Sequence, residues 1–205
     1  IYPTPVIGMV GVVENVDHIT QHAFRRPGDA VVLLGTNTDE LGGSEYLYVT
    51  AGLVAGAPPR VDLLGERSLQ QAVLALIQGG KVQSAHDCSD GGLACTLAES
   101  ALGAGEVPLG FEVELVDDLP PVALLFGEAQ GRIVISCAPG DVEAVLALAA
   151  DHEVPARRIG TVGEPDAPMT IRMKHGSVSV AAAAALDAYF GAIPGIMDAP
   201  ATAGA

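Results

Sequence analysis

Tryptophan is absent from this 205-residue chain, and aromatic residues of any kind make up only 4% of it. The core must therefore be built from aliphatic side chains. Lysine and arginine total 10 against 25 aspartates and glutamates, a formal net charge of −15. A phosphate backbone would be repelled by such a surface, which excludes general nucleic-acid binding. Cysteine is nearly as scarce. Cys88, Cys95 and Cys137 are odd in number and lack paired-motif spacing, so neither a disulfide framework nor a cysteine-rich zinc site is expected, and reduced thiols fit better. No apolar run approaches the ~20 residues needed to span a bilayer, and the N-terminus has no basic signal segment. The expectation is a soluble, cytoplasmic chain with neither a membrane nor a nucleic-acid partner.

What is present is apolar and small: hydrophobic residues, mostly alanine, valine and leucine, reach 49% while charged residues reach 17%, the composition of a folded core. The chain opens at Ile1 into a β-branched stretch through Glu14 that reads as a strand with nothing before it to pair with. That suggests a fragment whose opening strand belongs to a preceding domain. Residues 15–29 read as a linker ending in the Pro27-Gly28-Asp29 turn signal. Ala30 to Gly35 is a continuous apolar run suited to a strand buried on both faces. From Ser68 the positions Leu69, Ala72, Val73, Leu76 and Ile77 share one helix face, closed by Gly79-Gly80. A short strand near Ala85, a helix after Gly92, strands at 111–115 and 132–136, a helix over 141–150, strands at 158–162 and 170–173, and a helix from about Val180 to Phe190 complete the reading. The fold class expected is α/β, with a mixed sheet and helices mainly on one face. The tail over 193–205, rich in alanine, glycine and proline, is expected to be flexible.

Three stretches could carry chemistry. In His86-Asp87-Cys88-Ser89-Asp90-Gly91-Gly92 the glycines let a ligand approach the backbone, and the helix that follows offers N–H groups that favour an anion. Asp87 and Asp90 oppose this. Two unit charges ~4 Å apart repel by about 4 kcal/mol at an effective dielectric of 20, whereas a helix N-terminus returns ~0.3–2 kcal/mol. A phosphate would therefore require a divalent cation such as Mg²⁺ between it and the carboxylates. The plainer reading of the same residues makes Ser89 or Asp90 a helix N-cap, with the glycines permitting tight packing and His86 a structural hydrogen-bond partner. Second, Glu128, Gln130 and Arg132 alternate before a buried strand, where they could share one face and recognise hydroxyls and a phosphate; a Glu128–Arg132 ion pair at a strand edge is the alternative. Third, Gly42-Gly43-Ser44 resembles an anion-binding nest. His18 and His22 have helical i, i+4 spacing, but no acidic third ligand lies nearby, so they read as surface residues.

Taken in order, Pro3 to Gly11, Glu40-Leu41-Gly42-Gly43-Ser44-Glu45-Tyr46-Leu47, Ser84 to Ala94 and Leu124-Leu125-Phe126-Gly127-Glu128 resemble the phosphoribosylformylglycinamidine synthase family over about residues 1–192. The resemblance implies an aminoimidazole-ribonucleotide-synthetase-like architecture present in two tandem copies. This chain would be the end of the second copy: residues 1–14 the last strand of its first domain, 15–29 a linker and 30–192 its second domain. The implied reaction converts formylglycinamide ribonucleotide to its amidine, with ATP phosphorylating the amide oxygen and ammonia displacing phosphate. Glutamine supplies that ammonia through a glutaminase subunit, in a complex that also holds a small accessory subunit. The whole subunit would thus be an ATP-dependent ligase of purine biosynthesis, while this portion alone would be inactive. By the resemblance Asp87 would be the counterpart of a magnesium-binding aspartate in the first copy, and Glu128, Gln130 and Arg132 counterparts of its substrate-binding stretch, forming a substrate-like or auxiliary site; the residues themselves add Asp90 as a second metal ligand, His86 to the auxiliary site, and Gly42, Gly43, Ser44, Ser89, Gly91 and Gly92 as nucleotide or phosphate contacts. Two departures stand out: Glu128-Ala129-Gln130 replaces the family's Glu-Ser-Gln, and Tyr189 or Phe190 stands where a tryptophan is expected. Other readings are a different ATP-dependent synthetase of the superfamily, aminoimidazole ribonucleotide synthetase or selenophosphate synthetase, and a domain that only holds structure.

Overall fold

The computed structural model describes residues 6–103 and 107–197. Its foundation is β1 (Ala30–Leu34), whose five residues are all buried. Alternate side chains point to opposite faces of a strand, and here both faces are covered: Val31 and Leu33 enter one apolar cluster, while Ala30, Val32 and Leu34 enter another. Antiparallel neighbours flank β1 on both sides, β4 (Ile133–Cys137) and β5 (Ala156–Pro165). Outward from β4 lies β2 (Ser84–Asp87). Outward from β5 lie β3 (Leu109–Leu115), β6 (Met169–Met173) and β7 (Gly176–Val180), giving seven strands in the order β2-β4-β1-β5-β3-β6-β7. Only the β3–β6 pairing is parallel among the described strands, so the sheet is mixed, as the sequence predicts. All five residues of β7, at the outer edge, are exposed.

Helices lie on both faces, which corrects the expectation of one principal face. Against the first pack α3 (Gly92–Leu102), α4 (Pro121–Phe126) and the start of α6 (Ala182–Met197), through Leu93, Leu97, Leu124, Leu125 and Ala182. Against the second pack α2 (Leu63–Gln78) and α5 (Val142–Asp151), through Leu69, Ala72, Leu76, Val145 and Ala149. The physical reason is already in β1: a strand apolar at every position must be roofed twice. This second layer stops near β1, and Glu112, Arg172, Thr170 and Ser179 occupy the open sheet face beyond it, in an Arg172–Glu112 ion pair and a Thr170–Ser179 hydroxyl bond. Among the described residues no helix is long and apolar enough to cross a membrane.

Other differences have local causes. Residues 6–13 form no strand and Val6, Ile7, Met9, Val10 and Val12 stay exposed, because no strand among the described residues pairs with them; residues 1–5 of the expected strand lie outside the described residues. The stretch read as a linker packs down instead. Phe24 is buried, its N–H donates to the Ser100 carbonyl, and Ala85 N–H donates to the Gln21 carbonyl. α2 starts five residues before Ser68, because the Asp62 carboxylate accepts the Leu64 and Gly65 amides. α6 continues through Pro194 to Met197, although a proline inside a helix removes one of its hydrogen bonds. The rest of the expected flexible tail, 198–205, lies outside the described residues. α4 and β7 escape the sequence reading because each is short.

Leu76 has no exposed surface and anchors the second helical layer to the sheet. Leu76→Ala is expected to cost about 2–5 kcal/mol in denaturant unfolding, the range for a fully buried leucine; a loss below about 1 kcal/mol would mean that α2 does not close the core.

Candidate functional site

The three sequence-selected stretches meet at one cleft of about 480 Å³, lined by Gly42, Gly43, Asp87, Ser89, Asp90, Glu128, Gln130 and Arg132, among others. They come from three connections: the loop after β1, the β2–α3 turn and the α4–β4 loop. Pro58, Pro59, Glu66 and Gln70 also line it and were not selected from sequence. Glu66 stands in the first turn of α2, where an acidic residue ordinarily signals no more than a helix start, so nothing local marks it.

Glu128 holds the connections together. Its Oε1 accepts the Gly91 N–H at 2.8 Å and the Glu45 N–H at 2.9 Å. Gly91 is the N-cap of α3, and Glu45 is the first residue of α1 (Glu45–Ala51). One carboxylate therefore satisfies an otherwise unpaired amide at each of two helix starts, with favourable charge at both. Gly92 has a positive φ of 66°, and a Cβ there would lie 2.5 Å from the Gly127 carbonyl oxygen. Only glycine lets the α4–β4 connection pass this close.

Arg132 differs from expectation. It is buried, and its Nε donates to the Ala129 carbonyl at 3.2 Å, one terminal nitrogen to Asn37 Oδ1 at 3.0 Å and the other to the Gly127 carbonyl at 2.6 Å. Its guanidinium braces the 127–132 loop rather than facing a ligand. Glu128, Gln130 and Arg132 all line the cleft, but not through the simple alternation of a strand, because Gly131, at φ 70°, turns the chain between Gln130 and Arg132. Nor do Glu128 and Arg132 form the alternative ion pair, since each has other partners. Behind Arg132 the chain of contacts continues: Asn37 Nδ2 donates to Asp117, which pairs with Arg157. Burial alone would raise the Asp117 carboxyl, but the hydrogen bonds and charge of Arg157 outweigh it and hold the group below its ordinary range. Asn37, Asp117 and Arg157 carry no shared sequence signal, being far apart in the chain.

Ser44, Gly91, Gly92 and His86 do not line the cleft. Ser44 caps α1: its hydroxyl accepts the Leu47 N–H and donates to the Leu41 carbonyl. The Gly43 amide donates to the Ala55 carbonyl, so the Gly42-Gly43-Ser44 nest is turned to the protein itself. His86 faces α3, its Nε2 2.9 Å from Glu99 Oε2, while its Nδ1 lies 3.5 Å from Asp87 Oδ1. The N-cap reading of Ser89 or Asp90 is not realised: the Ser89 hydroxyl donates to Asp87 Oδ2 at 2.7 Å instead. That bond, ahead of the smaller effect of His86, holds the Asp87 carboxyl below its usual range. Cys88, also in the cleft, is pushed up by burial and is a poor nucleophile.

Asp87 and Asp90 are exposed, and among the described residues no group of three or more His, Cys, Asp or Glu could hold a metal ion. The pair fits Mg²⁺ only as that ion is often bound, by one or two carboxylates with water and ligand phosphates supplying the remaining oxygens.

Residues 26–169 match the family described as AIR synthase related protein, C-terminal domain. The chain is 49% identical over 163 residues to the phosphoribosylformylglycinamidine synthase subunit PurL of Moorella thermoacetica, covering 80% of this chain and 22% of that protein. With PurL of Caldanaerobacter subterraneus the identity is 42% over 174 residues, 85% of this chain and 23% of the relative. The chain thus spans under a quarter of the length of these relatives. Among solved structures, Thermotoga maritima PurL complexed with ATP superposes with a TM-score of 0.66 at 22% identity, covering 83% of this chain and 28% of that one. Its complex with FGAR gives a TM-score of 0.69 at 20% identity over 83% and 30%, and PurLQS from the same organism gives 0.63 at 22% over 83% and 28%. These structural likenesses bear out the α/β fold with its mixed sheet.

Two measurements check the site. Ser89→Ala removes the strongest influence holding Asp87 down, so the Asp87 midpoint in a carboxyl NMR titration is expected to rise toward the ordinary range. The ionised form then gives up its folded-state advantage at a higher pH as acid is added. Arg132→Lys replaces a three-armed donor by a single ammonium and is expected to cost about 2–4 kcal/mol of stability in denaturant unfolding.

Proposed function

The chain belongs to the AIR synthase related protein, C-terminal domain family, and from that premise we propose that it is the C-terminal part of a phosphoribosylformylglycinamidine synthase. As part of the whole subunit it would serve the ATP- and glutamine-dependent conversion of formylglycinamide ribonucleotide to its amidine. The observation that carries the reading is that stretches separated by more than 80 residues, from Gly42 to Arg132, line one cleft in a chain 49% identical to a PurL subunit. The remaining domains of the synthetase, a glutaminase subunit and a small accessory subunit are the partners this reading assigns, in keeping with the PurLQS complex of the T. maritima relative.

The cleft's charge limits how a nucleotide could enter. Glu66, Asp87, Asp90 and Glu128 line it, and the guanidinium of Arg132 is committed to Ala129, Gly127 and Asn37. A free phosphate would meet net negative charge. Asp87 and Asp90 are the residues that would hold Mg²⁺, which when bound would supply the positive charge that screens a phosphate from them. The Ser89 hydroxyl bond favours the ionised form of Asp87 and holds its carboxyl below the ordinary range. Gln130, exposed at the rim, offers its amide to a ligand hydroxyl.

A second reading, a domain that only holds structure, is favoured by the inward use of Glu128, Arg132 and Ser44. Calorimetry with ADP and Mg²⁺ separates the two. The nucleotide reading expects Mg²⁺-dependent heat with the native chain and at least about tenfold weaker binding after Asp87→Ala, the loss of one charged contact. Equal behaviour of the two proteins would leave the structural role.

A further inference from the structure

Between Glu40 and Arg60 the chain leaves the body of the domain and returns to the point of departure. Glu40 Oε1 accepts both the Arg60 N–H, at 2.9 Å, and the Arg60 Nε, at 3.1 Å, closing the neck of the excursion. Within it the chain is bonded to itself. Gly43 N–H donates to the Ala55 carbonyl, Gly52 N–H to Tyr48 and Leu53 N–H to Leu47. Gly42 and Gly56 are in backbone contact, a Cβ on Gly56 falling 2.7 Å from the Gly42 Cα. A loop with tied ends and internal bonds moves as a unit.

Little fastens this unit to the rest of the molecule. α1 buries none of its seven residues, and Tyr48, Val49, Leu53 and Val54 are exposed. Two attachments beyond the neck stand out: the Glu45 N–H on Glu128 Oε1, and the Tyr46 ring stacked on Phe126 with centroids 5.0 Å apart. They grip the last residue of α4 and the connection that follows it. The excursion contributes Gly42, Gly43, Pro58 and Pro59 to the cleft wall.

We propose that residues 41–59 form a hinged cover over the cleft, pivoting at the Glu40–Arg60 neck and fastened by Glu128 and the Tyr46–Phe126 stack. Glu128 is then a positioning residue for the cover, not a ligand contact. The same oxygen also holds the Gly91 amide, so Glu128 links the fastening of the cover to the turn bearing Asp87 and Asp90.

Amide hydrogen exchange on the full chain, free of ligand, tests it in Glu128→Gln and Tyr46→Ala. Both are expected to speed exchange by about tenfold or more over residues 44–55, the effect of losing one charge-assisted bond or one ring contact on a local opening, with β1 and β4 unchanged. Glu128→Gln alone is expected to speed exchange at 91–92 as well. Unchanged exchange over 44–55 in both variants would overturn the cover. So would an equal loss of protection in β1 and β4, which would make Glu128 a support of the whole fold.

Discussion

A single carboxylate oxygen organises this molecule's functional end. Glu128 Oε1 takes the first amide of α1 and the capping amide of α3, and so ties together connections that leave three different parts of the sheet. Each helix start would otherwise present unpaired donors, and each attracts negative charge. An internal anion supplies both needs. The cleft exists where it does because the loops that form it are drawn to one point, and Gly92 lets their backbones pass at that distance.

The same arrangement explains why a phosphate-binding pattern and a structural pattern look alike in sequence. Glycines before a helix, with a nearby acidic residue, serve equally to cradle a ligand or to let a protein carboxylate reach the amides. Side-chain partners decide between them, and partners are set by tertiary contact. Glu128 lies 37 residues from Gly91 and 83 from Glu45, beyond the reach of any spacing rule.

Much of the framework was nonetheless legible. The unbroken apolar run at β1 announced a doubly buried strand, and the 3.6-residue spacing of Leu69 to Leu76 announced the buried face of α2. Pro3 to Gly11, Glu40 to Leu47, Ser84 to Ala94 and Leu124 to Glu128, taken in order, pointed to a family of this architecture, and residues 26–169 match its C-terminal domain. What escaped were features with no local period. α4 is six residues long and begins at a proline, β7 gains its partner only through β6, and the orientation of Arg132 depends on the turn at Gly131 and on Asn37, 95 residues away. The bifacial helix layering was implicit in β1 but could not be assigned until α2 and α5 were placed on one side and α3 and α4 on the other.

The outermost strand has a bearing on how the molecule behaves in a crowded solution. Residues Gly176 to Val180 carry neither a proline nor a charged side chain to blunt their free backbone groups, and Lys174 and His175, at the turn just before them, are drawn to Asp118. Such a border is a template for pairing with a like border on a neighbour. Mutual repulsion between molecules each bearing 15 excess negative charges opposes that pairing at neutral pH. Near the isoelectric point of about 4.4 the repulsion vanishes, and colloidal stability of the isolated domain goes with it.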